Sequence, residues 1–143
     1  MDKDKFDGFQ YCIMDMDDAI ERFFNNIPHN FKNKLDFSVE SLLVLEEILM
    51  MRYPDVDTAM AYSEAKFLDG SARYIGEVFR KWGGGKWYIK LEDEENVYYE
   101  LPQLKGVKNQ GNQICPLALT TTAIDRIKGN FIHNRLKRRL KEY

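Results

Sequence analysis

Apolar residues recur at alternating steps of four and three positions between Ala61 and Trp82, the spacing of one face of an α-helix. The stripe consists of Ala61, Ala65, Leu68, Ala72, Ile75, Phe79 and Trp82. It predicts an amphipathic helix that begins near Asp57 or Thr58, ends at Trp82 and buries the stripe in the core.

Three glycines at positions 83–85 follow this stripe. Glycine adopts left-handed backbone geometry easily, so the triplet predicts a helix end and a sharp turn. Residues 86–91 then alternate polar and apolar side chains, which predicts a half-buried strand. The alternation returns at residues 97–101 after an acidic connector. We therefore predict an antiparallel β-hairpin over about residues 86–101.

An isolated hairpin is barely stable in water, so a further strand or helix must pack against it. Residues 103–107 and residues 113–115 are the two candidates for a third strand. The segment from Lys105 to Asn112 contains two glycines and is predicted to be a loop.

Helices are predicted on both sides of the β segment. Acidic residues precede an apolar pattern that ends at Ile27, and Ser38 is placed to cap a helix that runs to Tyr53, with Phe37 stapled onto Leu42. The threonine-rich apolar run from Leu117 to Ile124 fits either a strand or a helix, and a helix from about Leu119 to Lys128 is favoured. A terminal helix is predicted from Asn130 onward. The fold class expected is α+β: one domain over residues 1–143, with four to five helices packed on a small antiparallel sheet.

Composition narrows the class of protein. The 143 residues are 44% hydrophobic and carry a formal net charge of −2. A folded chain is expected, and no global field attracts it to nucleic acid or membrane. Cys12 and Cys115 lack a nearby second cysteine and are expected to be reduced. The N-terminus does not resemble a signal peptide, and we expect a cytoplasmic protein without a membrane segment.

Motifs that would support chemistry are incomplete. The glycine triplet with Lys86 follows a helix, whereas a phosphate-binding loop precedes one. The acidic residues from Asp15 lack the glycine and the final glutamate of a calcium loop. His29 and His133 have no partner at metal-ligand spacing. We predict no cofactor, metal or catalytic set, and favour a non-enzymatic role.

A mixture of cations and aromatic side chains at the helix–glycine–strand joint is typical of protein interfaces. The predicted protein-binding patch consists of Arg73, Glu77, Arg80, Lys81, Lys86, Trp87 and Tyr88. Arg73, Glu77 and Lys81 follow at four-residue spacing and are expected to form weak exposed ion pairs. An enzymatic alternative predicts a deep pocket near Glu77, Arg80 and Tyr88.

A second alternative is nucleic-acid binding through the C-terminal helix. From Arg126 onward, seven basic residues oppose Glu142 alone, giving a local charge of +6. The alternative site consists of Arg135, Lys137, Arg138, Arg139 and Lys141. Basic residues also stabilise the C-terminal end of a helix, so a nucleic-acid partner is the weaker expectation.

Three segments resemble a loosely defined family of short, uncharacterised bacterial cytosolic proteins. They are residues 35–42, residues 74–81 followed by Gly84-Gly85-Lys86-Trp87, and Cys115-Pro116-Leu117. The resemblance extends over about Ile20 to Leu140. It implies an α+β domain and kinship with immunity proteins, which neutralise toxins by binding them. The partner expected is therefore a protein.

Overall fold

Helix α6 (Ala65–Gly83) packs against helices on several sides in the computed structural model, which describes residues 3–89, 101–108 and 114–141. The elements before α6 are α1 (Lys3–Met14), α2 (Met16–Phe24), α3 (His29–Lys32), α4 (Ser41–Arg52), α5 (Val56–Ala59) and a 3-10 helix (Tyr62–Glu64). Those after it are β1 (Lys86–Tyr88), β2 (Gln103–Lys105), α7 (Pro116–Arg126) and α8 (Phe131–Leu140). Helices α2, α7 and α8 pack directly on α6.

The predicted fold class is wrong, because the protein contains more helix and less sheet than expected. The structure is 68% helical, and its described residues contain eight α-helices and one two-stranded sheet, where four to five helices on a sheet were expected. The helices bury their apolar faces against one another because each strand is only three residues long and offers little surface. A helix-on-helix core with a small β-ribbon replaces the predicted layer of helices on a sheet.

The buried stripe of α6 is confirmed at its centre. Leu68, Ile75 and Phe79 are 4%, 0% and 1% exposed. The helix begins at Ala65, later than predicted, because Asp55 caps the one-turn helix α5 by accepting the Thr58 N–H at 2.7 Å. Ala61 and Ala65 are exposed, and Trp82 at the far end is half-exposed.

The glycine turn after α6 is also confirmed. Gly84 and Gly85 have φ values of +76° and +104°, in the left-handed region that favours glycine. At Gly85 a β-carbon would lie 2.9 Å from the carbonyl oxygen of Lys105, so the turn also needs a residue without a side chain. The turn brings β1 alongside β2.

The strand pairing differs from the predicted hairpin. β1 pairs antiparallel with β2, with Lys86 opposite Lys105 and Tyr88 opposite Gln103, and Leu104 forms a single bridge with Ile114. Both candidate third-strand segments therefore contribute to the ribbon. Residues 90–100, which contain most of the predicted second strand, lie outside the described residues. Gln103 and Leu104 are fully buried, and this burial explains why this segment is the partner of β1.

Buried polar contacts join distant helices. Glu46 of α4 is 0% exposed and accepts the backbone N–H groups of Phe131 and Ile132 at 3.0 and 2.9 Å, at the start of α8. The Tyr74 hydroxyl donates to Ser41 Oγ at 2.7 Å and accepts the Phe37 N–H at 2.9 Å. These bonds fix α4 and α8 around the core.

The start of α4 differs from the prediction, because the N-cap is Glu40, which makes no side-chain capping bond, and not Ser38. Ser38 Oγ nevertheless accepts the Ser41 N–H at 3.1 Å. The Phe37 ring packs on Tyr74, with centroids 4.7 Å apart.

In the described part of the chain, no helix is long and apolar enough to cross a membrane.

Candidate functional site

Four residues of the predicted patch meet in one cleft at the joint of α6 and β1. We call it the joint cleft; its volume is about 380 Å³. Its lining consists of Glu77, Arg80, Lys86 and Trp87 from the patch and Ile13, Met14, Met16 and Asp17 from the α1–α2 junction. The sequence-based patch did not include the α1–α2 junction, because α1 was not predicted.

An ion pair organises one wall of the joint cleft. Arg80 Nη1 lies 3.2 and 2.8 Å from the two carboxylate oxygens of Glu77, and Arg80 Nε donates to the Gly85 carbonyl at 3.3 Å. Arg80 thus ties the last turns of α6 to the glycine turn. The enzymatic alternative predicts a deep pocket near Glu77, Arg80 and Tyr88. Glu77 and Arg80 do line this cleft, and they form an ion pair with each other.

Trp87 separates this cleft from a second one. Its indole lies over Gly76 of α6, where a β-carbon would come within 2.2 Å of two ring carbons. Gly76 therefore permits the close approach of β1 to α6. The Trp87 Nε1–H is buried and has no acceptor among the described residues.

Arg73 lies inside the protein, beyond Trp87. It is 9% exposed, and its Nε donates to Asp69 Oδ2 and its Nη1 to the Cys12 carbonyl, both at 2.8 Å. Cys12 is in the last turn of α1, where carbonyl groups lack partners within the helix. The predicted pairing of Arg73 with Glu77 and Lys81 is wrong, because Arg73 pairs with Asp69 and Glu77 with Arg80.

The remaining two patch residues lie outside the joint cleft. Lys81 Nζ lies over the Trp82 ring, 5.4 Å from its centroid. The Tyr88 hydroxyl donates to Gln103 Oε1 at 3.0 Å, across the β-ribbon. The structure thus brings Glu77, Arg80, Lys86 and Trp87 together and places Arg73, Lys81 and Tyr88 elsewhere.

Helix α1 presents large apolar side chains to solvent. None of the described α1 residues is buried, and Phe6, Tyr11 and Met14 are 36%, 70% and 83% exposed. With 3.6 residues per turn, Met14 lies about 60° from Tyr11 around the helix axis, whereas Phe6 lies about 140° from Tyr11 and about 20° from Ile13, which lines the joint cleft. We call Tyr11 and Met14 the α1 outer face. Met14 belongs to this face and to the joint cleft.

The second cleft, which we call the apolar cleft, has a volume of about 420 Å³. It opens between α1, α5, α6, β1 and α7. Its apolar lining consists of Met16, Ala59, Met60, Ala61, Ala65, Leu68, Ala72, Trp87, Leu101, Pro102, Pro116, Leu117 and Ala118, and its polar lining of Cys12, Asp69, Arg73 and Thr121.

Neither cysteine is activated as a nucleophile. Burial raises the pKa of the Cys12 thiol and of the Cys115 thiol above its ordinary value of 9.0. Both thiols are therefore protonated near neutral pH. Among the described residues, no three His, Cys, Asp or Glu side chains are placed to hold a metal ion together.

The basic residues of the C-terminal helix are divided between solvent and protein. Lys137, Arg138 and Lys141 are exposed, Arg135 lies 5.9 Å from the Phe131 ring centroid, and Arg139 is buried. Burial lowers the pKa of Arg139, and the neighbouring cations lower it further. Arg139 therefore does not extend the exposed basic surface.

No family model, curated protein or solved structure gives a significant match to this chain.

Proposed function

We propose that this chain is a protein-binding module whose interface combines the α1 outer face with the joint cleft. The main support for this proposal is the position of Met14. It is 83% exposed, and it joins an apolar helix surface to a cleft with charged walls. A protein partner would cover both surfaces at once.

The apolar side chains of the α1 outer face supply the stabilising part of such an interface. Covering an exposed methionine or aromatic side chain contributes roughly 1.5–3 kcal/mol. Helix α1 directs Cys12 and Ile13 toward the protein and Tyr11 and Met14 toward solvent. A helix with apolar residues on both sides is normally buried on both sides.

The joint cleft supplies specificity. Glu77 and Arg80 are held by their mutual ion pair, and Lys86 and Asp17 are exposed beside them. Because both signs of charge are present within one cleft, a partner must match their arrangement rather than a net charge. Tryptophan, methionine and arginine, all present here, are enriched at protein interfaces.

The biological role that we propose is toxin neutralisation in the cytoplasm. This part of the proposal is supported by the sequence resemblance to short bacterial cytosolic proteins of the immunity type. The product of a neighbouring reading frame is the first partner to test.

Site-specific photo-crosslinking tests the interface. A photoreactive residue is placed at Met14 and, in a matched control, at Met51, which is 66% exposed on α4 and lines neither cleft. In the native host we expect one discrete protein adduct at position 14 and none at position 51. Equal labelling at both positions, or no adduct at position 14, would contradict the proposed interface.

A further inference from the structure

The apolar cleft has the size and wall chemistry of a small-molecule site. Its volume of about 420 Å³ falls in the usual range of roughly 300–1,000 Å³ for ligand pockets. Leu68 and Ala72 of α6 are buried at its floor, and Met60, 61% exposed, lies at its edge. Walls of this kind bind the apolar body of a ligand.

Arg73 provides a hydrogen-bond donor within this wall. A guanidinium carries five N–H bonds. The Nε and Nη1 groups donate to Asp69 and Cys12, and the Nη2 group has no acceptor among the described residues. Because Asp69 and the α1 carbonyl hold the guanidinium in place, its free N–H groups have a fixed position in the cleft.

Nearby carboxylates determine which acceptor suits Arg73. Asp69 pairs with the guanidinium and lines the cleft. Asp15 is paired with a different arginine, Arg22, at 2.7 Å, so Asp69 is the carboxylate that balances Arg73. One carboxylate paired with one guanidinium leaves no excess positive charge for an anion. A neutral oxygen acceptor meets no such repulsion.

From these contacts we propose that the apolar cleft binds an uncharged, largely apolar small molecule through a carbonyl oxygen that accepts from Arg73 Nη2. The apolar body lies against α6 and α7. Carboxylates of the same chain length bind more weakly.

Nile red, an uncharged aromatic dye with a carbonyl group, is a suitable probe for the full chain. We expect saturable binding with a rise and blue shift of its fluorescence. Ala65→Phe fills the cleft mouth from an exposed position, and Ser63→Phe adds the same side chain at an exposed position outside the lining. Ala65→Phe should weaken binding at least about tenfold, and Ser63→Phe should leave it unchanged.

Competition tests the class of ligand. We expect 2-decanone to displace the dye at concentrations at least about tenfold lower than decanoate, a difference of ~1.4 kcal/mol. Absence of saturable dye binding, or equal binding by Ala65→Phe and wild type, would overturn the site. Stronger displacement by decanoate would overturn the choice of a neutral acceptor.

The apolar cleft shares Met16 and Trp87 with the joint cleft, but Met14 lines only the joint cleft. Met14 does not line the apolar cleft, so Met14→Asp should bind the dye as wild type does. Loss of dye binding in Met14→Asp, with the fold intact by circular dichroism, would contradict the separation of the two sites.

Discussion

Glu46 of α4 accepts hydrogen bonds from Phe131 and Ile132 of α8, which lie 85 and 86 positions later in the sequence. The first N–H groups of a helix have no partner within the helix. Glu46 satisfies two of them at the start of α8, in a place that water does not reach. Its carboxylate therefore takes the capping role that a local serine or aspartate takes in other helices.

Glu46→Ala is expected to destabilise the protein by roughly 2–4 kcal/mol, because it leaves one buried and one partly buried N–H group without acceptors. Urea denaturation measures this loss. Glu47→Ala is the control, since Glu47 is the exposed neighbour on the same helix and should change stability by less than about 0.5 kcal/mol. Equal stability of the two variants would mean that Glu46 does not hold α8.

Single residues of the α6 stripe could be predicted from the sequence, whereas Glu46 and Arg73 could not. Leu68, Ile75 and Phe79 repeat with the helical period, and periodicity is a local signal. A glutamate or arginine in a helix is usually exposed, and the contacts that bury these two come from residues far away along the chain. Sequence spacing shows the Asp69–Arg73 pair but not the contacts of Arg73 with Cys12 or of Glu46 with Phe131 and Ile132.

At the scale of elements, two arginines hold the C-terminal end of α1. Arg73 donates to the Cys12 carbonyl in its last turn, and Arg22 pairs with Asp15 just beyond it at 2.7 Å. The Arg22 side chain is 60% exposed, whereas that of Arg73 is 11% exposed. Buried hydrogen bonds to a charged group contribute more to folding stability than exposed ion pairs do, so Arg73 is expected to hold α1 more strongly than Arg22.

Arg73→Met should loosen α1 and leave the rest of the fold in place. Hydrogen exchange of the α1 amides is expected to accelerate about tenfold or more, which corresponds to the loss of one charged hydrogen bond. Exchange in the centre of α6 should not change. Arg22→Met is the matched control and should leave exchange in α1 nearly as in wild type. Identical α1 exchange in all three proteins would show that Arg73 does not attach this helix.

The elements that sequence patterns missed share a physical reason. None of the described α1 residues is buried, and the apolar side chains of this helix are spread around it, while α3 and α5 are single turns of four residues. The pairing of β1 with β2 depends on burial of Gln103 and Leu104, which a two-residue alternation does not reveal. The glycine turn was predictable because left-handed geometry is a property of the residue itself.

For the whole molecule, carboxylates held by hydrogen bonds determine the response to acid. The Arg52 side chain lowers the pKa of Glu64 below its ordinary 4.5, and the Thr58 hydroxyl lowers that of Asp55 below 3.8. A hydrogen bond with Arg22 lowers the pKa of Asp15, and hydrogen bonds with Ser38 lower the pKa of Asp36. Groups of this kind stabilise the fold above their ordinary pKa, and the stabilisation is lost as pH falls.

The urea midpoint is therefore expected to stay constant from pH 7 to about 5 and to fall below pH 4.5. Glu64→Gln should show a smaller fall, because one of the four carboxylates no longer titrates. A midpoint that drops between pH 7 and 5, or that is the same at pH 3 and pH 7, would contradict this assignment.

The central claim is that the α1 outer face and the joint cleft together bind a protein. The most direct test is the dissociation constant of the protein crosslinked at position 14, measured by calorimetry for wild type, Met14→Asp and Met51→Asp. We predict that Met14→Asp weakens binding about tenfold or more, since a buried charge replaces an apolar contact, and that Met51→Asp binds as wild type does. Equal affinity of Met14→Asp and wild type would contradict the claim.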